Sequence, residues 1–310
     1  MSNTPTSRPR LAWIIMLLAP LFFSSNLIFG RSAVEEVSPF TLAFIRWLAV
    51  ALALAPFMLS EAASLRAVVR GNSPRLLLLA FLGMWVCGGC VYLALQWTSA
   101  TNATLIYTTS SVLILLLEGA FKGRPIGLRE LAGSLLAILG IVTIVLRGDI
   151  AALLALDFNA GDLIIMAAAL AWAIYSILYR APGLQKVSNT AMLGLLATIG
   201  AVMLLPAAAV EWSADATLPS TARGWGSVAG IVVFSSLLAF SSFQFGLRSF
   251  GPSLAGVFMY LMPPYGVMLA VLFLGETLQT FHAVGIVLVM GGVILATFPV
   301  AWLRQKLDWR

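Results

Sequence analysis

The sequence predicts an all-α membrane protein: ten transmembrane helices arranged as two inverted five-helix repeats around a central cavity. Three observations lead there, namely apolar runs of membrane-spanning length, a one-sided distribution of basic residues and a self-match between the two halves. Sixty-one per cent of the 310 residues are hydrophobic and only 10% are charged, against about 25% charged in soluble domains. With a mean hydropathy of +1.00, water is not the main solvent for this surface. The apolar residues fall in blocks of about 18 to 23, the length that crosses roughly 30 Å of hydrocarbon.

Between charged or Pro/Gly-containing breaks the expected spans are 11–31, 38–59, 76–95, 102–120, 128–146, 161–179, 189–209, 226–246, 253–274 and 280–303. They must be helices, because lipid offers no partner to backbone N–H and C=O groups and barrel strands would alternate polar with apolar residues. The first run follows Arg8 and Arg10 and imitates a secretory signal. It is too long for the apolar region of such a signal, lacks a small-residue cleavage site, and nine similar segments follow it.

A cytoplasmic N-terminus places Arg8, Arg10, Arg66, Arg70, Arg75, Lys122, Arg124, Arg129, Arg180, Lys186, Arg248, Arg304, Lys306 and Arg310 on the cytoplasmic side, and Arg31, Arg147 and Arg223 outside. That bias orients both termini inward, in a bacterial inner membrane. The outer segments are acidic, with Glu35, Glu36, Asp149, Asp157, Asp162, Glu211 and Asp215. The net charge of +6 is then mostly a cytoplasmic rim facing anionic lipid. Lipid is therefore the expected partner, and nucleic acid is not.

Sliding the chain on itself by 152 residues pairs Leu117 with Leu269, Phe121 with Phe273, Gly123 with Gly275, Gly133 with Gly285 and Gly140 with Gly292. Near the start of each half a shift of about 149 pairs Phe23 with Trp172 and Arg31 with Arg180. The halves are expected at 1–150 and 151–310. Five helices per half is an odd number, so the second half runs upside down, a common plan of secondary transporters. The paired glycines read as stripes for close helix approach.

The motifs resemble the EamA branch of the drug/metabolite transporter superfamily. The resemblance rests on Ser24-Ser25-Asn26, on Ser38-Pro39-Phe40 through Arg46-Trp47, and on Tyr260-Leu261-Met262-Pro263-Pro264 with Gly275-Glu276-Thr277. The chain departs from the family in having Phe22 and Phe23 where Trp-Gly is usual, and Ser111 and Arg124 in the first half where the second has Pro263 and Glu276. Length, layout, Tyr107 and Trp172 look most like the YddG-type bacterial amino-acid exporters. The resemblance implies a helical basket around a central cavity.

Polar and aromatic groups in a span are expected to face the bundle interior. Trp85, Gly88 or Gly89, Tyr92 and Gln96 share one helical face, and the matching face of the eighth span holds Leu237, Phe240, Ser241, Gln244 and Arg248. These are either cavity walls or a packing seam. Thr104, Tyr107, Thr108 and Ser111 lie on the fourth span, opposite Tyr260, Pro263 and Pro264 on the ninth. The two prolines predict a break near Met262, which either frees carbonyls for a substrate ammonium or only shapes packing. Trp172, Tyr175 and Ser176 line the sixth span and can meet an ammonium by cation–π attraction, whereas Tyr179 reads as an interfacial residue. Arg46 reads more readily as a structural group bound to neighbouring carbonyls than as a substrate site. Glu118 and Glu276 sit near helix ends where water or a cap can reach them.

Cys87 and Cys90 are spaced as a redox pair but lie in an apolar span, so they read as small buried residues. A single histidine, His282, excludes a two-histidine zinc motif and leaves little for a Ser-His dyad. Asp162 has no partner for aspartyl proteolysis. No enzyme, metal or cofactor is expected. The expected function is export of amino acids or similar small metabolites by a chain that acts as a monomer; alternatives are export of sugar- or nucleotide-type compounds and a scaffold without transport.

Overall fold

The computed structural model describes residues 9–123, 125–149, 159–214 and 217–297. Among them ten helices are long and apolar enough to cross a membrane: α1 Arg10–Val34, α2 Pro39–Ser60, α3 Ala62–Ala94, α4 Thr101–Phe121, α5 Leu128–Val145, α6 Ala160–Leu178, α7 Asn189–Ser213, α8 Ala222–Phe250, α9 Pro252–Phe273 and α10 Thr280–Thr297. No strand occurs among the described residues. Arg8, Arg124, Asp157, Asp215 and the last residues of the expected tenth span lie outside them. The face on which α1 begins is called the N-terminal face, and the other the far face.

The largest departure from expectation is in α3, which starts at Ala62 where a charged loop was expected to run to residue 75. The segment stays helical apart from Asn72, whose φ of −142° marks a kink. Pro74, two residues on, has no N–H to offer the Arg70 carbonyl. Farther along, α3 widens into a π-helix over Phe81–Cys90, and α8 does the same over Ile231–Leu238. Such segments are rare and concentrate at functional sites.

The matched glycines perform matched tasks. Gly123 ends α4 and Gly275 ends α9 in the left-handed region, at φ 62° and 69°, which glycine adopts without steric cost. A Cβ on Gly133 would come within 2.6 Å of the Gly292 carbonyl oxygen, and one on Gly140 within 2.6 Å of that of Gly285. Residue 133 thus faces 292 while 140 faces 285, so α5 and α10 run antiparallel with backbones in contact.

A similar crossed pairing joins α2 and α7, whose offset of 150 matches Ser38 with Ser188, Pro56 with Pro206 and Glu61 with Glu211. At the far face the Glu211 carboxylate accepts from the Phe40 and Thr41 amides at 3.0 and 2.7 Å, satisfying donors that open α2. At the N-terminal face Glu61 accepts from the Ser188 amide at 2.8 Å, at the start of α7. Each helix therefore ends on a carboxylate that caps the beginning of the other, where exposed N–H groups and the helix dipole favour negative charge.

In α9 the break falls at Tyr260 and Leu261, between helical segments Pro252–Met259 and Met262–Leu274, slightly before the expected position. Pro263 and Pro264 supply no N–H to the carbonyls four residues back, those of Met259 and Tyr260. The Tyr260 and Leu261 amides instead close tighter turns onto Val257 and Phe258.

A methyl group on Gly140 must push apart two backbones. Gly140→Ala should therefore lower the melting temperature in detergent, at a cost of about 1–3 kcal/mol. Gly71→Ala, where a Cβ meets nothing within 4 Å, should not. Acid should loosen both faces. Hydrogen bonds from the Ser188 hydroxyl and amide hold the Glu61 carboxyl below its usual range, and the Thr221 hydroxyl does the same for Glu36. A depressed carboxyl contributes stability that is complete above its unfolded value and is lost as pH falls through its folded one. Melting temperature should thus drop below the usual carboxylate range, and Glu61→Gln should flatten part of that drop.

Candidate functional site

Arg46 lies seven residues into α2, about 10 Å along the axis at 1.5 Å per residue, and is only 6% exposed. A charge at the centre of a span costs about 2.5–3.5 kcal/mol on insertion scales. The surrounding dipoles offset that cost. Nε donates to the Ser236 hydroxyl at 2.6 Å, Nη2 to the Ser235 carbonyl at 2.8 Å and Nη1 to the Tyr92 hydroxyl at 3.0 Å. The guanidinium carbon lies 4.8 Å from the Trp47 ring centre and 5.9 Å from that of Phe240, within cation–π range.

The widened turn of α8 shapes this cradle. The Ser236 hydroxyl bonds back to the Ile231 carbonyl, five residues earlier, at 2.8 Å, while the Ser235 hydroxyl lies 3.0 Å from that of Ser25 on α1. One residue before Ser25, the Ser24 hydroxyl lies 2.8 Å from the Met262 carbonyl beside the break in α9. Consecutive serines of α1 thus touch the arginine cradle and the broken helix.

Toward the N-terminal face an aromatic layer follows. Trp172 stacks on Tyr175 and Phe243, with ring centres 5.4 and 4.9 Å apart, and meets Phe240 and Phe23 edge-on at 5.5 and 5.6 Å. Such pairs contribute about 0.5–1.5 kcal/mol beyond area burial. Phe240 also stands edge-on to Trp47 at 4.9 Å, which joins this layer to Arg46.

The next layer is polar. Gln244 donates to the Tyr175 hydroxyl at 2.6 Å. The single hydroxyl hydrogen of Tyr179 has two acceptors within reach, Asn189 Oδ1 at 2.8 Å and Gln244 Oε1 at 3.0 Å. Asn189 donates onward to the Ser241 carbonyl at 2.9 Å. Arg248 covers the Tyr179 ring at 5.4 Å and donates to the Val187 carbonyl at 2.8 Å. Tyr175, Tyr179 and Gln244 have no exposed surface, so the bundle is closed here. The offsets of 149 and 152 match Tyr175 with Asn26, Gln244 with Tyr92 and Tyr179 with Gly30. That second set is looser, because Tyr92 reaches Asn26 only at 3.4 Å and glycine stands where the first set has a ring.

Several expected residues meet in these layers: Tyr92, Trp172, Tyr175 and Gln244 by their side chains, and Ser241 through its carbonyl. Ser176 is buried but bonds its own helix at the Trp172 carbonyl, 2.8 Å away. Thr108 likewise bonds to Thr104, at 2.7 Å. Tyr107 is half-buried between the main core and a smaller one of Ala94, Ala103 and Ile165. Ser111, Tyr260 and Pro264 are buried and Pro263 is half-buried. Trp85 stacks on the exposed Phe81 at 5.3 Å and leans on Phe40 at 5.5 Å; the π-helical turn has rotated it relative to Tyr92. Tyr179, expected at the interface, is instead enclosed by α7 and α8. Glu118 is also buried, accepting from the Ser253 amide at 2.9 Å as a cap for α9. Sequence reasoning missed Ser25, Asn26, Trp47, Asn189, Ser235 and Ser236 as site residues, although Ser24-Ser25-Asn26 and Arg46-Trp47 stood in the motifs that carry the family resemblance. Among the described residues no three His, Cys, Asp or Glu side chains converge as a metal site would require.

Comparison with known proteins agrees with this architecture. The model of the EamA-like transporter family matches residues 10–146 and again 159–298. An uncharacterized transporter of Archaeoglobus fulgidus is 26% identical over 92% of this chain and 96% of its own. A probable terminal-alkyne amino-acid exporter of Streptantibioticus cattleyicolor is 26% identical over 63% of each chain. A crystal structure superposes with a TM-score of 0.76 over 96% of this chain and 99% of the other, at 20% identity, a likeness of fold alone.

The polar layer makes a labelling prediction. In a protein whose Cys87 and Cys90 are replaced, a cysteine at Ser241 should resist a membrane-impermeant thiol reagent applied to the N-terminal face. Adding Gln244→Ala, which removes the bridge between Tyr175 and Tyr179, should raise the labelling rate several-fold.

Proposed function

This chain belongs to the EamA-like transporter family, and from that premise we propose that it exports amino acids or similar small metabolites across a bacterial inner membrane. It is a multi-pass membrane transporter. Its two halves, residues 1–150 and 151–310, act as inverted repeats that open a mid-depth site alternately to each side. Support for the inversion comes from the crossed contacts of α5 with α10 and of α2 with α7, which two halves threaded in opposite senses produce. The excess of basic residues on the N-terminal face supports a cytoplasmic location for both termini.

One observation carries the reading: Tyr175, Tyr179 and Gln244 close the bundle at one face with buried hydrogen bonds, while the matched set of Asn26, Tyr92 and Gly30 at the other keeps a 3.4 Å contact and has one ring where the first has two. A scaffold has no need of two such layers knit to different degrees. In this orientation the closed layer faces the cytoplasm, as in an exporter that has delivered its substrate outward. Amino acids are the favoured substrates because aromatic rings, hydroxyls and a buried cation converge on one centre, and because a related protein is named as an amino-acid exporter.

No carboxylate touches the Arg46 cradle among the described residues, so transport down a concentration gradient is the simplest coupling. Purified protein in liposomes loaded with unlabelled amino acid should take up the labelled compound by counterflow, at equal rates with and without an imposed pH gradient. Absence of counterflow for every amino acid would overturn the substrate class, and competition by sugars or nucleotides would replace it. Strict dependence on the gradient would overturn the coupling.

A further inference from the structure

The Arg46 cradle is incomplete. A guanidinium has five N–H donors and no acceptor, and three are used here, on Ser236, Ser235 and Tyr92. One N–H remains on each terminal nitrogen with no protein partner among the described residues. The charge is likewise unanswered, since its partners are a carbonyl, two hydroxyls and two aromatic faces. Arg248 offers a contrast: it lies near the membrane face, within electrostatic range of the Glu61 carboxylate. A buried cation that served packing alone would be expected to meet an acid or a full set of carbonyls.

Two neighbouring features extend the site. On one side stands the aromatic wall of Phe240, Trp172 and Phe23. On the other, through Ser24 and Ser25, lies the break in α9, where Pro263 and Pro264 withhold donors from the Met259 and Tyr260 carbonyls. A cation, an apolar wall and electron-rich carbonyls together fit a small molecule with a carboxylate, an apolar group and an ammonium.

We propose that Arg46 is the carboxylate-binding residue of the transport site, so that the substrates are small amphiphilic carboxylates of the α-amino-acid type whose side chains lie against Phe240 and Trp172. This rests on the transporter reading above. A carboxylate accepting from the two unused N–H groups would complete both the hydrogen bonding and the charge balance, whereas a carboxamide would supply an acceptor without the charge.

The test uses the full-length chain in liposomes. A labelled amino-acid panel identifies a carried compound by counterflow, and the unlabelled acid and its carboxamide are then compared as competitors. The acid should compete at least tenfold better than the amide. Arg46→Gln should weaken competition by the acid at least tenfold while leaving that by the amide unchanged, and Arg46→Lys, which keeps the charge, should retain part of the preference. A role confined to packing would not alter this ratio, so an unchanged preference in a folded Arg46→Gln protein overturns the inference. If Arg46→Gln does not fold, the acid-to-amide ratio of the unaltered chain and of Arg46→Lys decides. Equal competition by acid and amide overturns the inference and leaves the carrier reading standing, whereas no counterflow of any amino acid overturns both.

Discussion

Hydrocarbon offers no partner to a polar atom, and most of this structure follows from where the chain finds partners instead. Backbone groups find them within helices. Arg46 finds them across three other elements: the cradle that holds it draws on Tyr92 from α3, Ser235 and Ser236 from α8 and, through Ser25, on α1. Because desolvating a guanidinium is costly, that cradle fixes how these helices meet. The aromatic layer is packed against its edge, and the polar layer of Tyr175, Tyr179 and Gln244 is packed against the aromatic one.

Chemistry is consequently graded along the bundle. The centre holds fixed charge with soft partners that can turn, since hydroxyls of Ser236 and Tyr92 serve as donor or acceptor. The layer beside it holds rings whose stacking is specific in geometry yet tolerant of sliding. The layer toward the N-terminal face is made of side-chain hydrogen bonds that join α6, α7 and α8. The alternating exposure proposed above would need this order, with groups that can hold a substrate innermost and hydrogen-bonded contacts outside them.

Much of the fold was legible because the bilayer writes its demands into residue type. Span length follows from its thickness, and close backbone approach admits little besides glycine, so the Gly133/Gly285 and Gly140/Gly292 matches survived as sequence signals. The site was less legible. An ideal helical wheel places Trp85 and Tyr92 on one face, but the π-helical turn over Phe81–Cys90 rotates one against the other, and no side-chain pattern announces such a turn. The same effect in α8 hid the roles of Ser235 and Ser236. Tyr179 was misplaced because its position near the end of α6 says nothing of Asn189 and Gln244, which reach it from other helices. Arg46 stood out as an expensive residue, but its unused donors become visible only once its neighbours are known.

The reciprocal carboxylates of α2 and α7 limit how such a bundle can move. Glu211 holds the start of α2 at one face and Glu61 holds the start of α7 at the other, so neither helix can slip lengthwise past its mate without uncovering amides. The two behave as one strut pinned at both tips. A rearrangement that opened the proposed central site would then tilt this strut as a fulcrum, with the remaining helices swinging about it like the arms of a balance.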